Sequence, residues 1–168
     1  MIKVFVASNE QRPYTRSELG MATAPYPTKA VSGVQQCGDY YAEKDGHVIP
    51  IVFERKSLMD AYGSFVIEKN RARLYMEIER YHLDDRFSRF VIVIEATHQQ
   101  YKSFFPWAVT KWHQQNGDLP RFFATVRKKK ETVLTHLRER GAEICFAGDR
   151  GRAARYIASE VQIWGNRW

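Results

Sequence analysis

The stretch GDYYAEKDGHVIPIVFERKSLMD, residues 38–60, decides how this chain is read. Its second half, HVIPIVFERK (47–56), is rich in Val, Ile and Phe, which predicts a strand. Asp45-Gly46 is a strong hairpin signal, so the GDYY strand should lie antiparallel beside the ERK strand. That pairing brings Asp39 close to Glu54. In a strand the side chains at i and i+2 share a face. Glu54 and Lys56 therefore project together, and Arg55 points away. Asp60 follows four residues after Lys56.

Two acids and a lysine gathered in this way suit metal-dependent hydrolysis of a phosphodiester. A nucleophilic water must be generated, charge on phosphorus stabilised and the leaving oxygen helped away. A cation held by carboxylates does much of this. Magnesium prefers oxygen ligands and keeps several waters, so two carboxylates and a carbonyl suffice. Asp39 and Glu54 are the expected ligands, with the Arg55 carbonyl as the third. Lys56 is expected to position the attacking water and offset phosphate charge. Arg55 either pairs with a nearby acid, Glu10 or Asp60, or contacts phosphate. Asp60 either serves the site or favours the N-terminus of the helix that starts there.

Composition bounds the partner. The 168 residues fit one domain with a sizeable core. No apolar run approaches a membrane span, and the N-terminus has no secretory signal, so no membrane association is expected. Two cysteines, Cys37 and Cys145, make no disulfide framework, which suits a reducing cytoplasm. The net charge of +7 and the 14% aromatic content suit a polyanion partner. Residues 121–140 hold seven Lys or Arg and two Glu, a local net of 7 − 2 = +5. Arg127, Lys128, Lys129 and Lys130 in that region are candidate DNA contacts, as are Arg71 and Arg73. The five histidines show no metal-ligand spacing, and His47 falls in the hairpin turn. Trp107, Trp112, Trp164 and Trp168 are expected in core or dimer packing rather than on bases. Glu77, on the helix after the motif, either reaches the site or is a solvated helix acid, the preferred reading, and Glu95 sits at a strand end with its role open.

The element pattern alternates strands and helices, an α/β layer fold. Strands are expected at 2–7, 38–43, 47–56, 89–96 and 143–147. A helical region runs over 58–83 with a break at Gly63 and Ser64. Further helices fall near 97–104, 106–116, 120–127 and 129–140, and a last one follows the N-cap Asp149 to about 163. Residues 11–33 lack regular pattern and read as a long excursion, a candidate DNA-contacting surface.

Spelled in full, Gly38-Asp39, then Glu54-Arg55-Lys56-Ser57, then Asp60 resembles the nuclease domain of the XPF/Hef family, with its G-D…E-R-K-x-x-x-D signature. The resemblance continues in Phe53 before the triplet and Ser64 after Asp60. It extends to Arg71 and Arg73 ahead of an amphipathic helix, to VIVIEA (91–96) and to CFAGDRGRAARYIA (145–158), and so spans nearly the whole chain. It implies a restriction-endonuclease-like fold, a central mixed sheet flanked by helices, in a homodimer. It implies Mg²⁺- or Mn²⁺-dependent cutting of DNA at branches, flaps or forks, with Glu10 supporting the metal. Relatives that carry a C-terminal tandem helix-hairpin-helix domain grip duplex DNA with it; no such domain is expected after residue 168.

One departure stands out. The family's first strand ends in D-x-R-E, and here the positions read Ala7-Ser8-Asn9-Glu10. The missing aspartate leaves a second reading open, a weak or inactive nuclease fold that binds DNA or partners an active subunit. A basic RNA-binding α/β protein is a third reading, resting on charge alone.

Overall fold

A computed structural model describes residues 2–7, 10–15, 17–19, 28–29 and 37–167. Its strands are β1 (Ile2–Val6), β2 (Thr28–Lys29), β3 (Tyr40–Lys44), β4 (His47–Lys56), β5 (Arg89–Ile94) and β6 (Ala142–Phe146). Its helices are α1 (Leu58–Val66), α2 (Glu68–His82), α3 (His98–Ser103), α4 (Trp107–Gln115), α5 (Leu119–Glu139) and α6 (Arg150–Gly165). The strands form one mixed sheet in the order β2-β1-β3-β4-β5-β6. The expected mixed sheet flanked by helices is therefore present.

The hairpin forms as the sequence dictates. Asp45 and Gly46 both adopt positive φ, the conformation of a tight two-residue turn. β3 runs antiparallel to β4, and β4, β5 and β6 run parallel. The register skips between Tyr41 and Ala42, which face Val52 and Ile49. Pro50 and Ile51 lie in this bulge, where a proline without an N–H is tolerated inside a sheet. Because two residues are inserted, the alternation of faces survives on both sides.

That alternation builds two cores. Phe53, Tyr40, Val4 and Val93 face α6 and meet Ile157 and Val161. Val52, Phe90, Ile92 and Ile94 face the other layer and meet Phe65, Ile78, Leu134 and Leu137. Most of these side chains are almost fully buried, and each stabilises the fold by roughly 1.5–3 kcal/mol.

Two helix expectations need correction. The break in 58–83 falls at Ile67, which is extended (φ −85°, ψ 120°), and not at Gly63. Phe65 and Leu74 must both reach the same core. In one unbroken helix they would point about 180° apart. Likewise 119–139 is one helix, not two, because Val126, Lys130, Val133, Leu134 and Leu137 form one continuous buried stripe.

Lys130 occupies an apolar position in that stripe and is 1% exposed. Its ammonium donates to the carbonyls of Tyr101 (2.7 Å) and Phe104 (2.6 Å), closing the C-terminal end of α3. The rings of Tyr62, Tyr101 and Phe105 surround it at 4.6–5.4 Å. Lys130 is thus a structural anchor and not the DNA contact expected from the basic run.

Of the 11–33 excursion, Thr28–Lys29 forms an edge strand parallel to β1. Residues 20–27 and 30–36 lie outside the described residues, as do Asn9 and Trp168. Among the described residues, no helix is long and apolar enough to cross a membrane.

Burial pushes the Lys130 ammonium down to about 8. Its three rings and its carbonyl partners still depend on the side chain. Lys130→Ala should therefore lower the free energy of unfolding by about 2–4 kcal/mol, read by urea denaturation. An unchanged denaturation midpoint would show that the α3 end needs no such closure.

Candidate active site

The end of β4 divides the ERK triplet between the two layers. Glu54 and Lys56 fall on the face that packs on α1 and α2, and Arg55 falls on the face that packs on α6. Asp39, one residue before β3, lies on the Glu54 face. Gly38 (φ +71°) makes the approach possible: a Cβ there would sit 2.8 Å from Val52 Cγ2 and 2.9 Å from the Phe53 carbonyl oxygen. Asp39 N–H donates to that Phe53 carbonyl, and its Oδ2 accepts from Arg55 N–H at 2.8 Å. The carboxylate thus continues the sheet ladder where the β3 backbone has ended.

Lys56 Nζ donates to Glu54 Oε1. Burial and the neighbouring Glu54 push the Asp39 carboxyl well above the usual carboxylate range, with Lys56 pulling it back. Burial works against the Lys56 charge, but Glu54 outweighs it and raises the lysine pKa overall. Two carboxylates and one ammonium thus share a tight space, and a further positive charge there would relieve the acids.

These groups open into a cleft of about 670 Å³ lined by Glu10, Asp39, Glu54, Arg55, Lys56, Asp60 and Arg73, among others. Asp60 is the third residue of α1. It exchanges hydrogen bonds with the N-cap Ser57, from Ser57 Oγ to its carboxylate (2.6 Å) and from its own N–H back to Ser57 Oγ (3.2 Å). Ser57 therefore caps the helix, and Asp60 holds the capping hydroxyl while bordering the cleft.

Arg55 is held on the opposite face. It donates to Glu95 through Nε (2.7 Å) and Nη2 (3.2 Å), and to Glu10 through Nη1 (3.2 Å). All three side chains are at most 9% exposed. Burial opposes the guanidinium charge, but the Glu95 bonds prevail and its pKa rises. The expected pairing with Glu10 is present, the one with Asp60 is not, and Glu95 is the main partner.

Glu10, expected to support the metal, lines the same cleft as Asp39 and Glu54. Its Oε1 accepts from Arg55 and from Arg12 N–H (2.7 Å). Among the described residues, no three His, Cys, Asp or Glu side chains gather closely enough to hold a metal. The oxygen donors that do fit a hard cation are the pair Asp39 and Glu54. Ala7 is buried beside them, with its N–H on the Asp39 carbonyl (2.8 Å).

Two contributors, Tyr14 and Arg150, escape the sequence reading, and Glu77 takes the less expected of its two places. Glu77 is half-buried and borders a second cavity with Glu54, Lys56 and Arg73. Burial, then Glu54, raises its pKa. Its spacing of three from Leu74 already put it on the inward face. Tyr14 is 1% exposed; its OH donates to Glu95 (2.9 Å) and its N–H to Tyr40 Oη (3.0 Å). Arg150 of α6 straps Arg12, Pro13 and Glu18 down. It donates to Glu18 (2.6 Å) and to the carbonyls of Arg12 and Pro13, and it lies 4.7 Å over the Tyr14 ring. No local signal marks those two.

Of the other candidates, Arg73 lies on the cleft, while Arg71 donates to the Phe65 carbonyl at the end of α1 (3.2 Å). Arg127 and Lys128 are exposed on α5, and Lys129 is half-buried.

No family model and no curated protein matches the sequence. Solved structures do match the fold. XPF from Aeropyrum pernix superposes with a TM-score of 0.58 over 98% of this chain, at 17% identity. A second structure of XPF from Aeropyrum pernix, in complex with DNA, gives 0.52 over 99% at 16% identity. The fold is of the XPF type. The chain spans 66% of the length of those two chains. The XPF-type sheet gives Asp39, Glu54 and Lys56 their common face.

The Arg150 strap makes a pH test. Its hydrogen bond holds the Glu18 carboxyl down at about 2, against an ordinary value of 4.5. The stabilisation is therefore full above the ordinary value and is lost as pH falls toward 2. Both partners keep some water access, so Glu18→Gln should cost about 1 kcal/mol at pH 7. Chemical denaturation at pH 7 and pH 3 should show that difference shrinking with acid. An equal difference at both pH values would remove the ion pair from the account.

Proposed function

We propose that this chain is a metal-dependent endonuclease that hydrolyses phosphodiester bonds in DNA, leaving 5′-phosphate and 3′-hydroxyl ends. The observation that carries the reading is half-buried Asp39 crowded against buried Glu54 with Lys56 on their rim, at a strand end in an XPF-type fold. Asp39 and Glu54 would hold a Mg²⁺ or Mn²⁺. The Arg55 carbonyl lies on the same strand edge as the N–H that Asp39 accepts, and would be the third oxygen. When bound, such an ion supplies Lewis-acid stabilisation of the phosphoryl oxygens and an acidified water.

The protein's own groups do the rest. Lys56 orients the attacking water and carries positive charge toward the phosphate as charge develops there. Glu54 holds Lys56 in place. Arg55 fixes the strand end through Glu95 and Glu10, and these keep the guanidinium off the substrate. Glu10 therefore supports the site through Arg55 and not by ligation. Arg73 and Arg12, at the cleft rim, meet the DNA backbone.

Branched, flap or forked duplex DNA is the proposed substrate, and a homodimer the proposed working form, both on the strength of the resemblance in residues 38–60. The second reading, a DNA-binding module with weak or no catalysis, is favoured by Ala7 and by the two-acid site. It predicts binding without cleavage.

An end-labelled fork distinguishes the two. Wild type should cut it only with Mg²⁺ or Mn²⁺ present. Lys56→Ala should cut at least about 100-fold more slowly while binding the fork as well as wild type does. Equal null cleavage by both proteins, with DNA binding intact, leaves the binding module as the function. Arg73→Ala should weaken fork binding and reduce its salt dependence, measured by titration at two ionic strengths.

A further inference from the structure

α4 is amphipathic in an unusual sense: it buries none of its nine residues. Its inward side is fastened to α5. His113 stacks on Phe122 at 4.0 Å with an interplanar angle of 14°, and its Nδ1 bonds Asp118 at 2.8 Å. Its outward side carries two large indoles, Trp107 (73% exposed) and Trp112 (57% exposed). Of the two expected places, core or dimer packing, neither indole takes the first; Trp164 alone of the described tryptophans packs against a core.

At 100° per residue, Trp107 and Trp112 flank the strip of Ala108, Lys111 and Gln115, about 7.5 Å apart along the axis. Lys111 lies between them, its ammonium 5.0 Å from the centre of the Trp107 ring. The surroundings are strongly basic. Residues 98–131 hold seven Lys or Arg, one of them the buried Lys130, and two acids, a net of 7 − 2 = +5. Of the acids, Asp118 is engaged by His113 and Glu131 by Lys102.

Exposed indoles in a cationic field suit a polyanion with open π-faces. A second copy of this chain is a poor occupant, because a two-fold contact would press two surfaces of this charge together. Paired bases inside a duplex offer no ring faces, whereas unpaired ones do. The position is also apt. Phe104, three residues before α4, meets Tyr62 of α1 edge-to-face at 5.9 Å, and the first turn of α1 carries Asp60 on the cleft.

We propose that α4 is a stacking platform for unpaired nucleotides of the DNA, with bases on Trp107 and Trp112 and a phosphate at Lys111. The proposal rests on the DNA reading above and specifies which part of the substrate is gripped. It assigns the single-stranded arm of a fork to α4 and the duplex phosphates to the cleft rim.

The test is an anisotropy titration without divalent metal, so that the DNA stays uncut. The probes are a fork with unpaired arms, a blunt duplex of equal length and a single-stranded oligonucleotide. Trp107→Ala and Trp112→Ala are compared with wild type. Neither residue is buried, and alanine favours the helix. Each variant should bind the fork and the single strand about fivefold or more weakly, with duplex affinity unchanged. Indole fluorescence of wild type should be quenched by the single strand. Unchanged fork affinity in both variants, while wild type binds DNA, overturns the platform and leaves the DNA reading standing. Wild type that binds none of the three probes overturns the DNA reading itself. Loss of affinity for all probes together with a change in mass by light scattering makes the indoles a self-association surface, and that result also overturns the platform.

Discussion

The structure depends on the alternation of side chains at the end of β4. Glu54 and Lys56 go to one layer and Arg55 to the other. The strand is held there from both sides. β3 pairs with it up to Phe53, and the Asp39 carboxylate then takes over at Arg55 N–H. β5 pairs with it to Lys56, whose carbonyl accepts from Glu95 N–H at 2.9 Å. A slip of one residue would put Lys56 on the α6 face and take Arg55 away from Glu95 and Glu10. The bulge at Pro50 inserts two residues and not one, so the hairpin reaches the triplet in phase.

Arg55 fixes this arrangement by charge. Its guanidinium, Glu95 and Glu10 are all nearly buried, so each depends on the others for neutralisation. Removing one member of such a group is costly, because the charges left behind are stranded. Tyr14 extends the group, and Arg150 ties Pro13 and Glu18 to α6. A residue distant in sequence thereby holds the entry to the cleft. On the other face the imbalance runs the opposite way: Asp39 and Glu54 crowd one ammonium, and Glu77 adds to the negative side. One layer is electrostatically satisfied, and the other is poised to accept positive charge.

Much of this was legible in the sequence because its signals are local. The hairpin follows from Asp45-Gly46 and the shared face of Glu54 and Lys56 from strand parity. The α6 start follows from Asp149, which accepts from Arg152 N–H. What escaped is non-local or is a competition between signals. Four consecutive basic residues hide that the fourth, Lys130, continues an apolar stripe. Gly63 looks like a break, yet the packing of Phe65 and Leu74 moves the break to Ile67. Glu95 becomes a partner of Arg55 only once the parallel register of β4 and β5 is known. Tyr14 and Arg150 meet across the fold with nothing nearby to announce them. Trp164 packs against a core as expected, whereas Trp107 and Trp112 stand outside one because α4 buries none of its residues.

The central claim is that Asp39 and Glu54 form a site for a divalent cation. Mn²⁺ binding followed by electron paramagnetic resonance tests it without reference to any substrate. Wild type should bind one Mn²⁺ per chain at this site, competed by Mg²⁺. Asp39→Asn and Glu54→Gln should each abolish that binding while circular dichroism stays unchanged. Equal Mn²⁺ binding by wild type and both variants, or none by wild type at millimolar metal, would contradict the account.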